Sequence, residues 1–263
     1  MINLKQKHHS YIFWGLVVLS IVFLLSVTVF IFYRWVHSLE PSDVYNNEVV
    51  RKQIKKRVGK KNEFFVELAP EFLGFKKPKT YLVLFLNNTE LRPGGGFIGS
   101  YATVKVEEGK IKVLKIEGSG QLDKRSPEDW QPRPPKIIKD YLKVDQWFFR
   151  DSNWSPDFAK SSRKTLKFYT KEGGVAGKRI DHVVGVTTDV LARLLEVIGP
   201  VKVENHTFSS KNVVRKLQYE VHYGFKDRGL SFSNRKQILR PFFKKVVSNI
   251  QSGLIQDYQN YLH

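Results

Sequence analysis

Residues Thr80 to Gly120 read TYLVLFLNNTELRPGGGFIGSYATVKVEEGKIKVLKIEGSG, and the fold is decided there. Tyr81 to Leu86 is a short, continuous, β-rich apolar run, the pattern of a strand buried on both faces. Phe97 to Val106 and Lys110 to Ile116 read as two further strands. They are joined by Glu107-Glu108-Gly109, a hairpin connection with glycine where a positive φ is needed. Between the first two strands lies Asn87 to Gly96, polar apart from Leu91, with the cation Arg92 and three successive glycines, Gly94, Gly95 and Gly96. Consecutive glycines let backbone N–H groups converge on an anion, or let another group approach the main chain closely. A plain flexible turn is the competing reading.

The chain has 263 residues, with 44 Lys and Arg against 25 Asp and Glu, a formal net charge of +19. That length holds one sizeable α/β domain with an appendage. The charge implies a polyanionic neighbour: anionic lipid, an anionic wall polymer or nucleic acid. Cysteine is absent, which excludes disulfides, thiolate zinc sites and a cysteine nucleophile.

Upstream, Ile12 to Tyr33 carries no charged residue. At a rise of about 1.5 Å per residue it spans a bilayer core of about 30 Å, and Trp14, Tyr33 and Trp35 stand near its ends. It reads as a transmembrane signal anchor. Lys5 and Lys7 before it, and Arg34 against Glu40, Asp43 and Glu48 after it, favour residues 1–11 in the cytoplasm and the domain outside; the basic run from Arg51 to Lys61 stands against this, but long domains translocate largely regardless of their charge. Residues 34–79 then form a basic juxtamembrane stalk, and residues 80–263 the extracytoplasmic domain. Within the stalk, Ser42 to Val58 has helical periodicity, with Ser42 as N-cap and a Lys- and Arg-rich face. That face suits anionic headgroups or wall polymer, and equally a solvated stalk.

Downstream, Glu117 to Lys136 reads as a long loop with a stiff proline-rich tail, and Ile137 to Phe149 as a short helix ending in aromatics. In Asp151-Ser152-Asn153-Trp154-Ser155-Pro156-Asp157-Phe158, Ser155 is the expected N-cap, with Pro156 at the first helical position. Asp151 and Asn153 could hold a cation, although Pro156 and Ser162 stand where an EF-hand loop needs Gly and Glu; tying down the loop is the alternative. Asp181 to Val186 reads as a strand. A helix from Val190 to Ile198, capped by Thr187-Thr188-Asp189, and a strand from Val201 to Val203 follow. This strand–helix–strand run predicts a crossover, and so a partly parallel sheet. Lys211 to Tyr223 reads as helical. Ser233 is the expected cap of a long helix passing Ile250, kinked or split at Pro241. Arg228 and Arg235 stand near its start, as an anion clamp or as ordinary surface arginines.

No nucleophile elbow, P-loop, zinc-protease or dinucleotide signature is present, and the seven His are scattered. No nucleic-acid-binding module is visible, so nucleic acid is not expected as a partner.

The segments Asn87 to Tyr101, Asp151 to Phe158 and Ile198-Gly199-Pro200-Val201 together resemble the domain of unknown function family numbered 4012, whose members are membrane-anchored bacterial proteins. More remotely, the order of pieces is similar to the LytR–CpsA–Psr family, which moves glycopolymers from a polyprenyl pyrophosphate carrier onto peptidoglycan. Ile180-Asp181-His182-Val183-Val184 through Gly199-Pro200-Val201, and Asn234-Arg235-Lys236-Gln237, carry that likeness.

The likeness implies a three-layer α/β/α domain with a central mixed sheet after one transmembrane helix. It further implies a polyprenyl phosphate carrier or anionic wall polymer as partner beside membrane lipid. Phosphate would be held by Arg92, the Gly94–Gly96 backbone and Arg235. Glu90, Asp151 and Asn153 would stand at the rim, with a divalent cation such as Mg as an optional cofactor. Two motifs depart from that family: Arg92-Pro93-Gly94-Gly95 lacks the Asp that should follow its Arg, and Glu117-Gly118-Ser119-Gly120 lacks both Arg and Asp. Glycopolymer transfer is therefore an open expectation, and a non-catalytic envelope scaffold is its alternative.

Overall fold

The computed structural model describes residues 41–261. The expected anchor, Ile12 to Tyr33, lies outside the described residues. Among the described residues no helix is long and apolar enough to cross a membrane. Those up to Leu68 belong to one compact unit and those from Ala69 to a second.

In the first unit, α1 (Pro41–Asn46) and α2 (Glu48–Val58) replace the single predicted helix. Asn47 separates them, because its Oδ1 accepts the N–H groups of Val49 and Val50 and caps α2 in place of Ser42. A tight turn at Gly59, where φ is +72°, leads through residues 60–62 into α3 (Glu63–Phe72).

The second unit is mixed α/β around a four-stranded sheet ordered β3-β2-β1-β4. β1 (Lys79–Asn87) is antiparallel to β2 (Phe97–Glu107), which is antiparallel to β3 (Lys110–Gly118). The β2–β3 turn places Glu108 and Gly109 both at positive φ, the geometry whose twist suits a tight hairpin.

As β1's unbroken apolar run predicts, both of its faces are covered. Leu82, Leu84 and Leu86 join one core with Tyr101, Trp147, Phe149, Phe168 and Tyr169. Val83 and Phe85 pack on a second core with Leu191, Leu195, Phe242 and Phe243. The first core is closed by α4 (Ser119–Asp123), α5 (Lys136–Leu142) and α6 (Phe158–Lys171). α4 thus interrupts the expected loop after β3.

α6 is capped by Asp157, whose Oδ1 accepts the Lys160 N–H. Ser155 is used otherwise: its carbonyl receives the Ser161 hydroxyl.

β4 (His182–Thr187) runs parallel to β1, so the sheet is mixed, but the expected partner was wrong. After α7 (Thr188–Ile198), β5 (Val201–Val203) does not cross back into the sheet. It pairs antiparallel with β6 (His206–Phe208) in a separate ribbon, because Glu204, at positive φ, and Asn205 close a hairpin. The second core is completed by β5, β6, α8 (Val213–Tyr219) and α9 (Leu239–Tyr261). α9 starts only at Leu239, so Ser233 does not cap it, and Pro241 sits in its first turn, where a missing N–H costs little.

Candidate functional site

β1, β3 and β4 all point the same way, so the loops leaving their carboxyl ends converge, the usual place for a ligand in an α/β sheet. Residues 88–96 follow β1, α4 follows β3 and α7 follows β4. Asn88 ties the first loop down: its Nδ2 donates to Asp189 Oδ2 at 2.7 Å and its Oδ1 accepts the Thr188 hydroxyl.

Arg92 does not point at an open space. Its Nε and Nη2 both donate to Asp151 Oδ1 at 3.3 Å, Nη1 donates to the Leu91 carbonyl, and Glu90 stands 3.7 Å from Nη2. The guanidinium also lies 5.2 Å from the Phe97 ring centroid. Asp151 is buried and faces Arg150 as well, with Nε to Oδ2 at 3.4 Å. Arg150 then reaches buried Asp123 at 3.1 Å. A chain of alternating charge, Glu90–Arg92–Asp151–Arg150–Asp123, thus links the glycine-rich loop to α4.

The glycines answer to packing. Asn153 Nδ2 donates to the Gly96 carbonyl at 2.8 Å and to that of Gly94 at 3.4 Å. A Cβ on Gly94 would overlap the Asn153 carbonyl oxygen, and one on Gly96 (φ +130°) would sit 2.6 Å from the Asn87 oxygen. Gly95 has φ +98° and more room. The turn is folded shut against Asn153 and the end of β1, and the close approach that three glycines permit is made by the protein itself.

Asp151 is already paired with two guanidiniums, whereas Asn153 commits only its Nδ2 to carbonyls and its Oδ1 is buried with no hydrogen-bond partner among the described residues. Among the described residues no three His, Cys, Asp or Glu side chains gather to ligate a metal.

Arg235 is held elsewhere. Its guanidinium stacks 3.6 Å from the Phe232 ring centroid, Nη1 donates to the Phe232 carbonyl, and Nε is buried with no partner among the described residues. Among these residues it shares no hydrogen-bond partner with Arg92. Arg228 is taken up by Glu220 and the Gly224 carbonyl, so it closes a turn and does not clamp an anion.

Sequence reasoning missed Lys236. Its ammonium donates to the Gly99 carbonyl, where β2 begins, and its stem covers Gly118 at the end of β3. Burial, reinforced by Arg235, pushes its pKa down to about 8, while Glu90 and Asp123 pull the other way. Burial likewise lowers that of Arg235. Only its place beside Arg235 in Asn234-Arg235-Lys236-Gln237 could have flagged it.

Sequence reasoning also missed Glu172, which is 0% exposed. Its Oε1 accepts the Phe149 N–H, and its Oε2 is buried with no hydrogen-bond partner among the described residues. Burial first, then the Asp123 charge, raises its pKa above the usual carboxylate range, and burial likewise raises that of Asp123.

The model of the family described as "Protein of unknown function (DUF4012)" matches residues 76–222, which hold all four strands of the sheet, the glycine-rich loop, Asp151 and Asn153. The chain belongs to the DUF4012 family. A search of curated proteins finds no match to it. Arg235 and Lys236 fall beyond the matched residues, so this DUF4012 chain adds its two poorly solvated cations from outside the family segment.

Proposed function

We propose that the protein is a membrane-anchored, extracytoplasmic three-layer α/β/α domain that binds a phosphorylated envelope precursor. The ligand class is a polyprenyl-pyrophosphate-linked or similar anionic glycan precursor. Arg235 and Lys236 are its principal donors, at the carboxyl end of the sheet. One observation carries the reading: two adjacent cations, Lys236 with its ammonium on the Gly99 carbonyl and Arg235 with a buried, unpartnered Nε, lie beside a loop cluster where α/β folds place ligands, and burial lowers the pKa of each. Each is held in a state that a bound phosphate would relieve, through forked donation from Arg235 and charge pairing with Lys236. Arg92 acts at one remove, because Asp151 already fills its fork, and it orders the loop.

Binding, without transfer, is the activity this arrangement favours. Asp151 and Asp123 are committed to arginines, and Glu172 is sealed from solvent. The test is affinity for a polyprenyl pyrophosphate in detergent, with inorganic pyrophosphate as the soluble probe. Arg235→Ala with Lys236→Ala should weaken binding by about two orders of magnitude, as losing two charge-assisted contacts implies. Unchanged affinity in the double variant would refute the assignment.

A second reading, a scaffold that holds anionic wall polymer by charge alone, is favoured by the net charge of +19 and by the closed glycine turn. It requires binding that is indifferent to that double variant and falls steeply with salt.

A further inference from the structure

α2 and α3 form a hairpin. Lys55 Nζ meets Glu67 Oε1 at 2.9 Å across it, and the Tyr45 hydroxyl donates to the Val66 carbonyl. Its tip is locked: Gly59 N–H donates to the Lys55 carbonyl, Asn62 N–H to the Gly59 carbonyl, and Asn62 Nδ2 to the Val58 carbonyl at 3.0 Å. At this tip the apolar side chains are on the outside. Phe64 is 63% exposed and Phe65 is 69% exposed, their rings edge to face, and Val58 is exposed beside the turn. α3 buries only Val66.

The flanking residues are basic. From Arg51 to Lys61 there are seven Lys and Arg and no acid, and Arg57, Lys60 and Lys61 at the tip are exposed. Single exposed apolar residues are ordinary. Two neighbouring phenylalanines on a locked turn, ringed by cations, have instead the composition of an interfacial membrane contact. Rings enter the acyl boundary while ammonium and guanidinium groups meet lipid phosphates. The uncharged Ile12–Tyr33 stretch ends shortly before α1, so a bilayer would lie within reach of the tip.

We infer that the α2–α3 tip docks on an anionic lipid surface, with Phe64 and Phe65 inserted at the headgroup level and Arg57, Lys60 and Lys61 on phosphates. The inference rests on the anchored reading above. It makes the membrane a second, reversible attachment of the stalk. An anchor on the same chain would raise the effective concentration of the tip at the bilayer, so that weak insertion would be enough to keep it occupied.

The absence of cysteine makes a single-site label clean. The full chain, with a polarity-sensitive dye attached at Phe65→Cys, is reconstituted in nanodiscs of phosphatidylglycerol or of phosphatidylcholine. In anionic discs the emission should shift to the blue, and iodide quenching should fall about threefold or more below that in neutral discs, as insertion beneath the headgroups requires. Lys60→Gln with Lys61→Gln should remove most of that difference. Equal quenching in both lipids overturns the inference. So does protection that appears only with two copies per disc, which would make the tip a self-association surface.

Alkaline extraction of membranes tests the anchor separately. Phe64→Ser with Phe65→Ser should leave the chain in the pellet, whereas release of the parent chain would sink the anchored reading itself.

Discussion

Arg92 illustrates how a residue that reads as a ligand-binding group becomes a structural one. Its fork closes on buried Asp151, and Arg150 supports the same carboxylate from the other side. Removing Arg92 leaves Asp151 with one guanidinium in place of two. Arg92→Ala is therefore expected to cost about 1–3 kcal/mol in stability, measured by denaturant unfolding in detergent. Its effect on pyrophosphate affinity should be smaller than that of Arg235→Ala.

Glu172 gives the second residue-scale prediction. Its folded-state pKa is raised above the ordinary 4.5 by burial and by Asp123. The unfolded chain releases this proton first as pH rises, so the folded state binds more protons above about pH 4.5 and stability declines from there toward alkaline pH. Glu172→Gln imitates the protonated form, since its amide can donate to Asp123 and its oxygen can accept from Phe149. That variant should match the parent near pH 4.5, exceed it at pH 8 and show a flatter decline between them. An unchanged slope would mean that the pKa of Glu172 is not raised.

At the scale of elements, the glycine-rich loop is a clasp. Gly94 and Gly96 each lie where a Cβ would strike backbone, whereas Gly95 meets only a Leu86 methyl at 3.4 Å. Gly94→Ala and Gly96→Ala should each destabilise by about 2–4 kcal/mol, through overlap that the main chain must shift to relieve. Gly95→Ala should cost only the strain of its positive φ, about 1–2 kcal/mol. The order of unfolding midpoints checks this, and equal losses at all three positions would contradict the clasp.

The same scale separates what was readable from what was not. β1, β2, β3 and their hairpin stand where periodicity and Glu108-Gly109 put them, as does the cap of α7, because these signals act over a few residues. Asp157 displaced Ser155 as the cap of α6, since both are good caps and only the path of the loop chooses between them. β5 left the sheet because Glu204 and Asn205 offered it a nearer partner in β6.

For the whole molecule, the net charge of +19 makes ionic strength the sharpest discriminator. Capture of an anionic wall polymer by diffuse charge should fall steeply between low salt and 0.5 M, as the screening length shrinks below about 10 Å. Pyrophosphate held in the poorly solvated Arg235–Lys236 site should be less affected. A pyrophosphate affinity that tracks salt as steeply as polymer binding would favour the scaffold.

By itself the sequence determined the family, the sheet's first three strands, the charge and the uncharged stretch near the N-terminus. All of these are written in neighbouring residues or in composition. Tertiary structure alone decided that Arg92 meets a carboxylate 59 residues away and that Asn153 fills a turn 57 residues before it. It alone placed Lys236 on a carbonyl 137 residues upstream. Such pairings are set by how two cores close on opposite faces of one sheet, and no local pattern specifies which distant side chain will arrive at a given strand end.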